Sequence, residues 1–516
     1  MPRYAAIDIG SNSVRMETAE VTPGQPPRIL ASDREVTRLG ESVFRNGWVS
    51  EEAIVSTSAV LTRMAETYRK LDVVGVRVVA TSAIRDTRNK KEFLRRATEA
   101  AGAPIEVISG REEARLIHLG VESGWPQSGK RVLLIDIGGG SAEIMAAQDG
   151  VMSSAFSRPL GAVRLRENFL KDDPPTPRQL HQMHEYVREK LSTAVRKLSS
   201  WEWDRAIATS ASAAAVAGMV SGVARPKREG IDRVRIPVAE VRRLYQSISM
   251  LNLAARRKLT GIGPRRAEII VPGVAVLLEF LEAFGRHSVY YSRAGVRDGI
   301  IADLAARNVG AEYSRMNRDQ RREVEDMGRR YGVALDHARK VGSISNLLFH
   351  ALQPLHQLPP ACGKLLEAAA HLLDVGHYVS SSSHHKHSYY VVSHSDMPGF
   401  TERERILIAH LCRYHRKSMP AAVHTAYQTL EPEEKRTLLL MIPMLRLADN
   451  LNKSHDQRID KLECKWTDSD VTLQVHSHGD IDLEQWGAER ASEAFQQVYD
   501  RQVILTKARE QSAGRP

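Results

Sequence analysis

Two six-residue stretches decide the fold: DIGSNS at residues 8–13 and DIGGGS at residues 136–141. Each follows an apolar run and precedes another, so each predicts a β-strand, a tight turn and a second β-strand. Rossmann and P-loop motifs place a helix after the glycine turn, and these two stretches therefore do not fit them. The matched pair indicates an internal repeat.

The turns of this repeat suit a phosphate chain. Glycine and small hydroxyl residues let backbone N–H groups point into one concavity, which binds anions. The aspartates that end the first strands, Asp8 and Asp136, can hold a divalent cation such as Mg²⁺ directly or through water. Two facing turns would hold one phosphate chain from opposite sides.

The first third of the chain alternates strands and helices. Residues 76–80, 105–108 and 131–135 predict short strands, and residues 90–101 and 112–122 predict helices between them. This alternation is typical of a layered α/β fold with parallel strand pairing.

Two residues in this region are candidates for catalysis. Glu113 lies in the first turn of a predicted helix, where Ser109 and Glu112 have capping-box spacing. The helix dipole lowers the pKa of a first-turn carboxylate, so a base at Glu113 would need burial or neighbouring phosphates. Arg85 follows a strand and can offer a fork of donors to phosphate oxygens. Local sequence favours an ordinary first-turn glutamate at 113, and at 85 it leaves a solvated arginine and a phosphate clamp equally open.

Composition restricts the class of protein. The net charge of +11 and the pI of about 9.5 suit polyanionic partners. Aromatic residues make up 6%, which argues against a surface that stacks bases, so nucleic acid binding would depend on charge alone. Three widely spaced cysteines, no signal-peptide pattern and no long apolar run predict a cytoplasmic protein that does not enter a membrane.

Several ordered blocks together resemble the exopolyphosphatase/guanosine pentaphosphate phosphatase family of the actin-like ATPase superfold. The blocks lie at residues 8–13, 81–85, 109–117, 136–143, 159–165 and 295–299. The resemblance implies an α/β fold of two actin-like (ribonuclease H-like) lobes with a cleft, at residues 1–125 and 126–307. An all-α HD-like domain at 308–460 and a small C-terminal α+β segment at 461–516 would follow.

The resemblance also implies roles for individual residues. Glu113 would be the general base that activates water, and Arg85 would clamp the reacting phosphoryl group. Asp136, Glu143 and Asp8 would hold or position Mg²⁺. Phosphate contacts would come from both turns, through Ser11, Asn12, Ser13, Gly138, Gly139, Gly140 and Ser141.

Two departures from the family pattern stand out. The family often has Ser-Gly-Thr where residues 209–212 read Thr-Ser-Ala-Ser, and the missing glycine could reshape the cleft. In the HD-like domain His337, Asp374 and Asp449 fall in the expected order, but Leu373 replaces the histidine of the His-Asp pair. This domain is therefore predicted to be catalytically inactive.

Residues in the helical half allow further hypotheses. The histidines at 384, 385, 387 and 394 are a metal-binding candidate, although the serines at 380–383 predict a flexible loop there. A basic stretch at residues 403–417 predicts either a solvated helix face or a channel that guides polyphosphate.

The leading hypothesis for function is an exopolyphosphatase that uses Mg²⁺ to release orthophosphate from inorganic polyphosphate. Hydrolysis of guanosine pentaphosphate (pppGpp) to its tetraphosphate is the nearest alternative, since both substrates end in a phosphoanhydride. A sugar kinase or chaperone-like ATPase of the same superfold, and a non-catalytic polyphosphate or alarmone sensor, stay open. The family likeness also suggests a homodimer.

Overall fold

A computed structural model describes residues 1–223, 230–308, 314–456, 458–477 and 479–507. Two compact units are present, Met1–Asn308 and Val309–Pro516. The four domain ranges stay predictions, and residues 224–229, 309–313, 457, 478 and 508–516 of those ranges lie outside the described residues. Across the described ranges, every helix is too short or too polar to cross a membrane.

The first unit begins with a five-stranded mixed sheet. Its strands are β1 (Arg3–Ile9), β2 (Val14–Glu20), β3 (Arg28–Glu35), β4 (Gly75–Ala80) and β5 (Ile105–Val107). The order is β3-β2-β1-β4-β5, with antiparallel pairing from β1 to β3 and parallel pairing from β1 through β4 to β5.

A second sheet in the same unit repeats this connectivity. Its strands are β6 (Arg131–Ile137), β7 (Ala142–Gln148), β8 (Val151–Arg158), β9 (Arg205–Thr209), β10 (Arg235–Pro237) and β11 (Ser288–Tyr291). The strand order is β10-β11-β9-β6-β7-β8. Pairing is parallel from β11 through β9 to β6 and antiparallel from β6 through β7 to β8, which is the pairing pattern of the first sheet in reverse order. The internal repeat seen in the sequence is therefore a duplicated mixed sheet.

Helices cover both sheets. Those of the first unit are α1 (Leu39–Asn46), α2 (Glu51–Lys70), α3 (Ser82–Asp86), α4 (Lys90–Ala101), α5 (Gly110–Gly124), α6 (Ala162–Phe169), α7 (Pro177–Leu198), α8 (Ser210–Val220), α9 (Val238–Met250), α10 (Leu253–Arg256), α11 (Ile270–Ala283) and α12 (Val296–Asn308). The helices predicted at 90–101 and 112–122 are present. The strand predicted at 131–135 is β6, which starts the second sheet, so parallel pairing does not continue from β5 to β6.

Two helices cross between the sheets. Ala114, Ile117 and Val121 of α5 pack against the second sheet, although α5 directly follows the first. Ile300 and Ile301 of α12 pack against the first sheet, although α12 follows the second. Each sheet is therefore covered partly by a helix from the other half of the repeat, which joins the halves into one unit.

The crossing of α5 and α12 depends on two glycines. A Cβ at Gly299 would lie 1.8 Å from the carbonyl oxygen of Leu116, and one at Gly120 would lie 2.3 Å from the carbonyl oxygen of Gly295. No side chain fits at such distances, since the obstructing atoms are backbone. Gly299 of the 295–299 block therefore serves helix packing, together with Gly120 of α5.

A buried ion network also holds α12 in place. Asp303 accepts hydrogen bonds from Arg77 on β4 at 3.0 Å and from Arg115 on α5 at 2.9 Å. Both arginines also bond Glu112, whose backbone N–H donates to the Ser109 hydroxyl, one half of the predicted capping box. Glu112 thus has a structural role, which separates it from its neighbour Glu113.

Replacing Asp303 by alanine is expected to destabilise the first unit by about 3–5 kcal/mol, because two buried guanidinium groups would lose an anionic partner. Asp303 is 2% exposed. The measurement is urea unfolding of the full chain. Asp33→Ala is the matched control, since it breaks an exposed pair with Arg63 and should cost less than about 1 kcal/mol. Equal costs for the two variants would contradict a structural role for the network.

The second unit combines helices with a small sheet. Its helices are α13 (Arg318–Arg330), α14 (Leu335–Ala351), α15 (Gln353–His356), α16 (Cys362–Leu372), α17 (His384–His394), α18 (Glu402–Tyr414), α19 (Thr425–Gln428), α20 (Pro432–Asn450) and α21 (Asp482–Tyr499), with a 3-10 helix at Val375–Tyr378. The strands β12 (Ile459–Trp466), β13 (Asp470–Ser477) and β14 (Gln502–Lys507) form one sheet.

Two segments of this unit can be compared with the expectations from sequence. The C-terminal segment combines strands and a helix, but its sheet begins earlier, at Ile459, and Ile459, Val471 and Phe495 share one hydrophobic core with the helices. The histidines at 384–394 lie in helix α17, and only the serines before them form a turn. The HD-like character of the helices and their catalytic inactivity stay predictions.

Candidate active site

The two repeated stretches form matching hairpin turns. In the turn between β1 and β2, the Gly10 N–H donates to the Ser13 carbonyl at 3.1 Å. In the turn between β6 and β7, the Gly138 N–H donates to the Ser141 carbonyl at 2.9 Å. The strand–turn–strand prediction is therefore confirmed for both copies.

The turns face each other across one cleft. A Cβ at Gly139 would lie 3.0 Å from Cβ of Ser11 and 3.2 Å from the backbone nitrogen of Asn12. A Cβ at Gly140 would lie 2.5 Å from the Ser82 hydroxyl. Glycine at 139 and 140 thus allows the two turns to approach closely enough to contact one small anion together.

Hydrogen-bond donors of both turns are available to a ligand. The backbone N–H groups of Ser11, Asn12, Gly139 and Gly140 donate no hydrogen bond within the part of the chain that the structure describes. The Ser11 hydroxyl is buried and also has no partner among the described residues. Buried donors without partners are costly, and an anion bound between the turns would satisfy them.

Helix α6 fixes the second turn from behind. Its first N–H groups, from Ala162 to Arg164, donate to the carbonyls of Gly138 and Gly139 at 2.9–3.1 Å. The Arg164 guanidinium bonds the Gly140 carbonyl at 2.7 Å and the Ser82 hydroxyl at 3.1 Å. The block at residues 159–165 therefore positions the turn, a role that the sequence analysis did not assign to Arg164.

The repeat differs at one position that matters for cation binding. In the strand register Asp8 pairs with Arg15, whereas the equivalent Asp136 pairs with Glu143. Burial, opposed by Arg15 and reinforced by Glu113, raises the pKa of Asp8 to about 6. Burial and the charge of Glu113 raise the pKa of Asp136 to about 7. The second half of the repeat thus has two adjacent acids where the first half has an acid beside an arginine.

Glu143 is the most deeply buried of these carboxyl groups. Its side chain is completely buried, and burial followed by the charge of Glu113 holds its pKa well above the usual range. One oxygen accepts from the Ser157 hydroxyl at 2.8 Å, and the other has no hydrogen-bond partner among the described residues. Carboxylate oxygens in this condition fit a divalent cation, which would supply the missing partner.

Glu113 and Arg85 form a close pair at the same place. The Arg85 guanidinium donates to Glu113 at 2.8 Å and to the Ile108 carbonyl at 2.8 Å, and lies 3.5 Å from the Ser141 hydroxyl of the second turn. Glu113 is 7% exposed. A solvated arginine and an ordinary surface glutamate, both open from sequence, do not match this arrangement.

The cleft has a volume of about 1000 Å³, at the upper end of the ~300–1,000 Å³ typical of small-molecule sites. Asp8, Glu113, Asp136 and both turns line it, and Glu143 adjoins Asp136 through the strand register. Sequence reasoning missed the arginines that line the cleft, Arg15, Arg34, Arg265, Arg266, Arg293 and Arg297. The signal for Arg15 and Arg297 was present, since Arg15 lies two residues after the 8–13 stretch and Arg297 lies within the 295–299 block.

Ser210 lies in the stretch where the sequence departs from the family's Ser-Gly-Thr. It starts α8 with a φ of 91°, a left-handed conformation that serine rarely adopts, and it lines the cleft. The strain lies at the site, where such residues are often found.

Ser210→Gly is expected to raise the free energy of unfolding by about 1 kcal/mol, because glycine adopts this φ without steric cost. Ser192→Gly on the exposed face of α7 should have the opposite sign, with a loss of roughly 0.5 kcal/mol. Denaturant unfolding of both variants measures the difference. Destabilisation by Ser210→Gly would show that the serine side chain outweighs the backbone strain.

Fold and site together define a class of protein: a duplicated, actin-like α/β phosphatase in which paired glycine turns and buried acids face one cleft. Residues 18–308 match the model of the "Ppx/GppA phosphatase family", and residues 320–486 match "Ppx/GppA phosphatase, domain III". The chain belongs to the Ppx/GppA phosphatase family and is a hydrolase of phosphoanhydride bonds.

Individual relatives agree with this family. The chain is 27% identical to a guanosine-5'-triphosphate,3'-diphosphate pyrophosphatase of Vibrio vulnificus, with 81% of each chain covered. A protein of the same name from Vibrio parahaemolyticus is 24% identical over 93% of this chain and 97% of its own length. The crystal structure of the Aquifex aeolicus family member superposes with a TM-score of 0.53 at 27% identity, covering 60% of this chain and 99% of its own.

Proposed function

We propose that this protein is an exopolyphosphatase that releases orthophosphate from the ends of inorganic polyphosphate. The observation that carries the proposal is the pair of glycine turns that face each other with unpartnered N–H groups, beside the carboxylate of Glu113. A phosphate chain offers an oxygen to donors on both sides at once, and a cleft of about 1000 Å³ has room for several phosphate groups.

In this proposal Glu113 is the general base. A water between Glu113 and the terminal phosphorus would give its proton to the carboxylate as it attacks, while the bridging oxygen leaves with the shortened chain. Arg85 keeps Glu113 oriented through its 2.8 Å ion pair and is placed to contact the reacting phosphoryl group near Ser141. Both turns would hold the phosphate oxygens through Ser11, Asn12, Ser13, Gly138, Gly139, Gly140 and Ser141.

Asp136 and Glu143, with Asp8 opposite, are proposed to hold Mg²⁺. Their support is the buried, partnerless oxygen of Glu143 and the raised pKa values of all three carboxyl groups. A bound magnesium ion would neutralise phosphate charge in the transition state. Asp8 is the weakest of the three candidates, because Arg15 already partly compensates its charge.

Hydrolysis of pppGpp is the second candidate, and a specific observation favours it. Both Vibrio relatives bear the name of a guanosine-5'-triphosphate,3'-diphosphate pyrophosphatase. The same turns and the same base would serve, because pppGpp also ends in a phosphoanhydride. The cleft lining includes one aromatic side chain, Tyr291, among the described residues, which gives little surface for base stacking and favours polyphosphate.

Parallel rate measurements would decide between the candidates. Orthophosphate release is measured from long-chain polyphosphate and from pppGpp with Mg²⁺, each at concentrations that give kcat/KM. We expect a higher kcat/KM for polyphosphate. A higher value for pppGpp would establish the second candidate. Salt-dependent polyphosphate binding without release would instead favour a non-catalytic sensor.

A further inference from the structure

A group of metal-binding side chains in the second unit lies apart from the phosphatase residues. Asp374, His377 and His384 each place one donor atom within 4.8 Å of the other two. The Nε2 atoms of both histidines approach the same oxygen of Asp374, at 3.5 Å for His377 and 3.7 Å for His384. The three donor atoms therefore lie close together, and the two imidazole rings stack with their centroids 3.8 Å apart.

The distances in this group are informative. They exceed the N···O distance of about 2.7–3.2 Å in ordinary hydrogen bonds, so the carboxylate does not directly bond either imidazole. Donors bound at about 2.0–2.2 Å to a tetrahedral zinc ion are separated by roughly 3.3–3.6 Å. The spacing of Asp374 from the two histidines is thus close to that of ligands around such an ion.

Local structure explains why these residues meet. Asp374 directly precedes the 3-10 helix and His377 lies within it, and residues three apart in such a helix lie on the same side. A Cβ at Gly376 between them would lie 2.1 Å from the His384 carbonyl oxygen, so glycine lets this helix touch the start of α17. Ser388 fixes the contact through its hydroxyl, which accepts from the Gly376 N–H at 3.0 Å and donates to the Leu373 carbonyl.

A fourth donor stands beside the group. The buried His415 has its Nε2 at 3.3 Å from Nε2 of His384. Its Nδ1 lies 2.7 Å from the Cys412 carbonyl, which can only accept, so Nδ1 carries the proton and Nε2 presents a lone pair. Metal-binding histidines are commonly oriented by such a bond to a backbone carbonyl.

We propose that Asp374, His377 and His384 bind a divalent metal ion of the zinc class, with His415 as the nearest further donor. Imidazole nitrogen and carboxylate oxygen are the ligands such ions take. The side chain of His377 is 44% exposed, which gives the ion a path from solvent. The site does not need the histidine that Leu373 replaces, and it includes only one of the four clustered histidines considered from the sequence.

One cation already lies near this group. Nη1 of Arg416, an exposed residue, is 3.3 Å from Nδ1 and 3.5 Å from Nε2 of His384. A metal ion would be repelled by this guanidinium. Removal of the Arg416 charge is therefore expected to strengthen metal binding. If these side chains bind no metal ion and Arg416 is simply their cationic neighbour, the same change would not increase metal binding.

The test uses the full chain without a histidine tag, stripped with chelator and kept in saturating Mg²⁺ so that the first unit's carboxylates do not take the added metal. Zn²⁺ is titrated and counted by elemental analysis, and Co²⁺ reports the geometry through its visible absorption. We expect one Zn²⁺ per chain and an intense Co²⁺ spectrum typical of tetrahedral ligands. Less than about a tenth of an equivalent of Zn²⁺ would overturn the proposal.

Variants connect the bound metal to these residues. His377→Ala and Asp374→Asn should weaken Zn²⁺ binding by about 100-fold or more, given that even indirect partners of a metal site contribute 10–100-fold. His387→Ala, on the same helix as His384 but outside the group, should bind normally, and Arg416→Gln should bind more tightly. Because His377 is substantially exposed, thermal unfolding of His377→Ala should stay close to wild type. Unchanged affinity in His377→Ala and Asp374→Asn would refute the assignment.

Discussion

Glu113→Gln is expected to lower kcat for orthophosphate release by about 10²–10⁴-fold, the range that general-base catalysis contributes. Glutamine keeps the size of the side chain but cannot accept the proton of the attacking water. It can still accept the hydrogen bond from Arg85, so the pair that orients residue 113 should persist. Steady-state kinetics with polyphosphate and Mg²⁺ measures the effect.

Two comparisons make this prediction specific. Polyphosphate affinity of Glu113→Gln should stay within a few-fold of wild type, because the proposed phosphate contacts come from the turns. Glu99→Gln on α4 is the matched control, with a side chain that is 79% exposed, and it should turn over normally. Wild-type turnover in Glu113→Gln would remove the base from the proposed mechanism.

Glu143→Gln should have the second-largest effect, through the cation. A ligand present at 100 times its Kd stabilises the folded state by about 2.7 kcal/mol, and wild-type protein should show a gain of this kind with Mg²⁺. Glu143→Gln removes the carboxylate that has a buried, partnerless oxygen. We expect the Mg²⁺-dependent gain to disappear and turnover to fall by about 100-fold or more.

The stability of Glu143→Gln without added cation separates this explanation from simple damage. Replacing a buried carboxyl whose pKa is raised should leave the cation-free protein as stable as wild type or more stable, since the buried charge is costly. Thermal unfolding with and without Mg²⁺ measures both quantities. A variant that is less stable in both conditions, or one that keeps the Mg²⁺-dependent gain, would argue against a cation at Glu143.

The central part of the fold could be predicted because it repeats. Two copies of one strand–turn–strand pattern indicate a duplication, and the glycines predicted turns that meet at one cleft. The crossing of α5 and α12 could not be predicted in the same way. It depends on a contact between Leu116 and Gly299, which are far apart in sequence and show no local signal.

The site shows the same division. The roles proposed for Asp136 and Glu143 follow from a family motif, and the strand register then explains why their half of the repeat differs from that of Asp8 and Arg15. The arginines that line the cleft carry no distinguishing pattern in the sequence, apart from Arg15 and Arg297.

The histidine-rich segment depends on tertiary contacts as well as local signals. The loop that the serines at 380–383 predicted is present as a turn, and α17 starts directly after it, where Ser388 and Gly376 dock this helix against the 3-10 helix. Asp374 and His377 were not grouped with His384, since ten residues separate Asp374 from His384 and the 3-10 helix that brings them together is too short to recognise.

The most direct test is a crystal structure of the Glu113→Gln chain with Mg²⁺ and a short polyphosphate. The terminal phosphate should lie between the turn at residues 8–13 and the turn at residues 136–141, in contact with N–H groups of both, and its phosphorus should face the substituted side chain at position 113. A polyphosphate bound to one turn alone, or bound outside this cleft, would contradict the account.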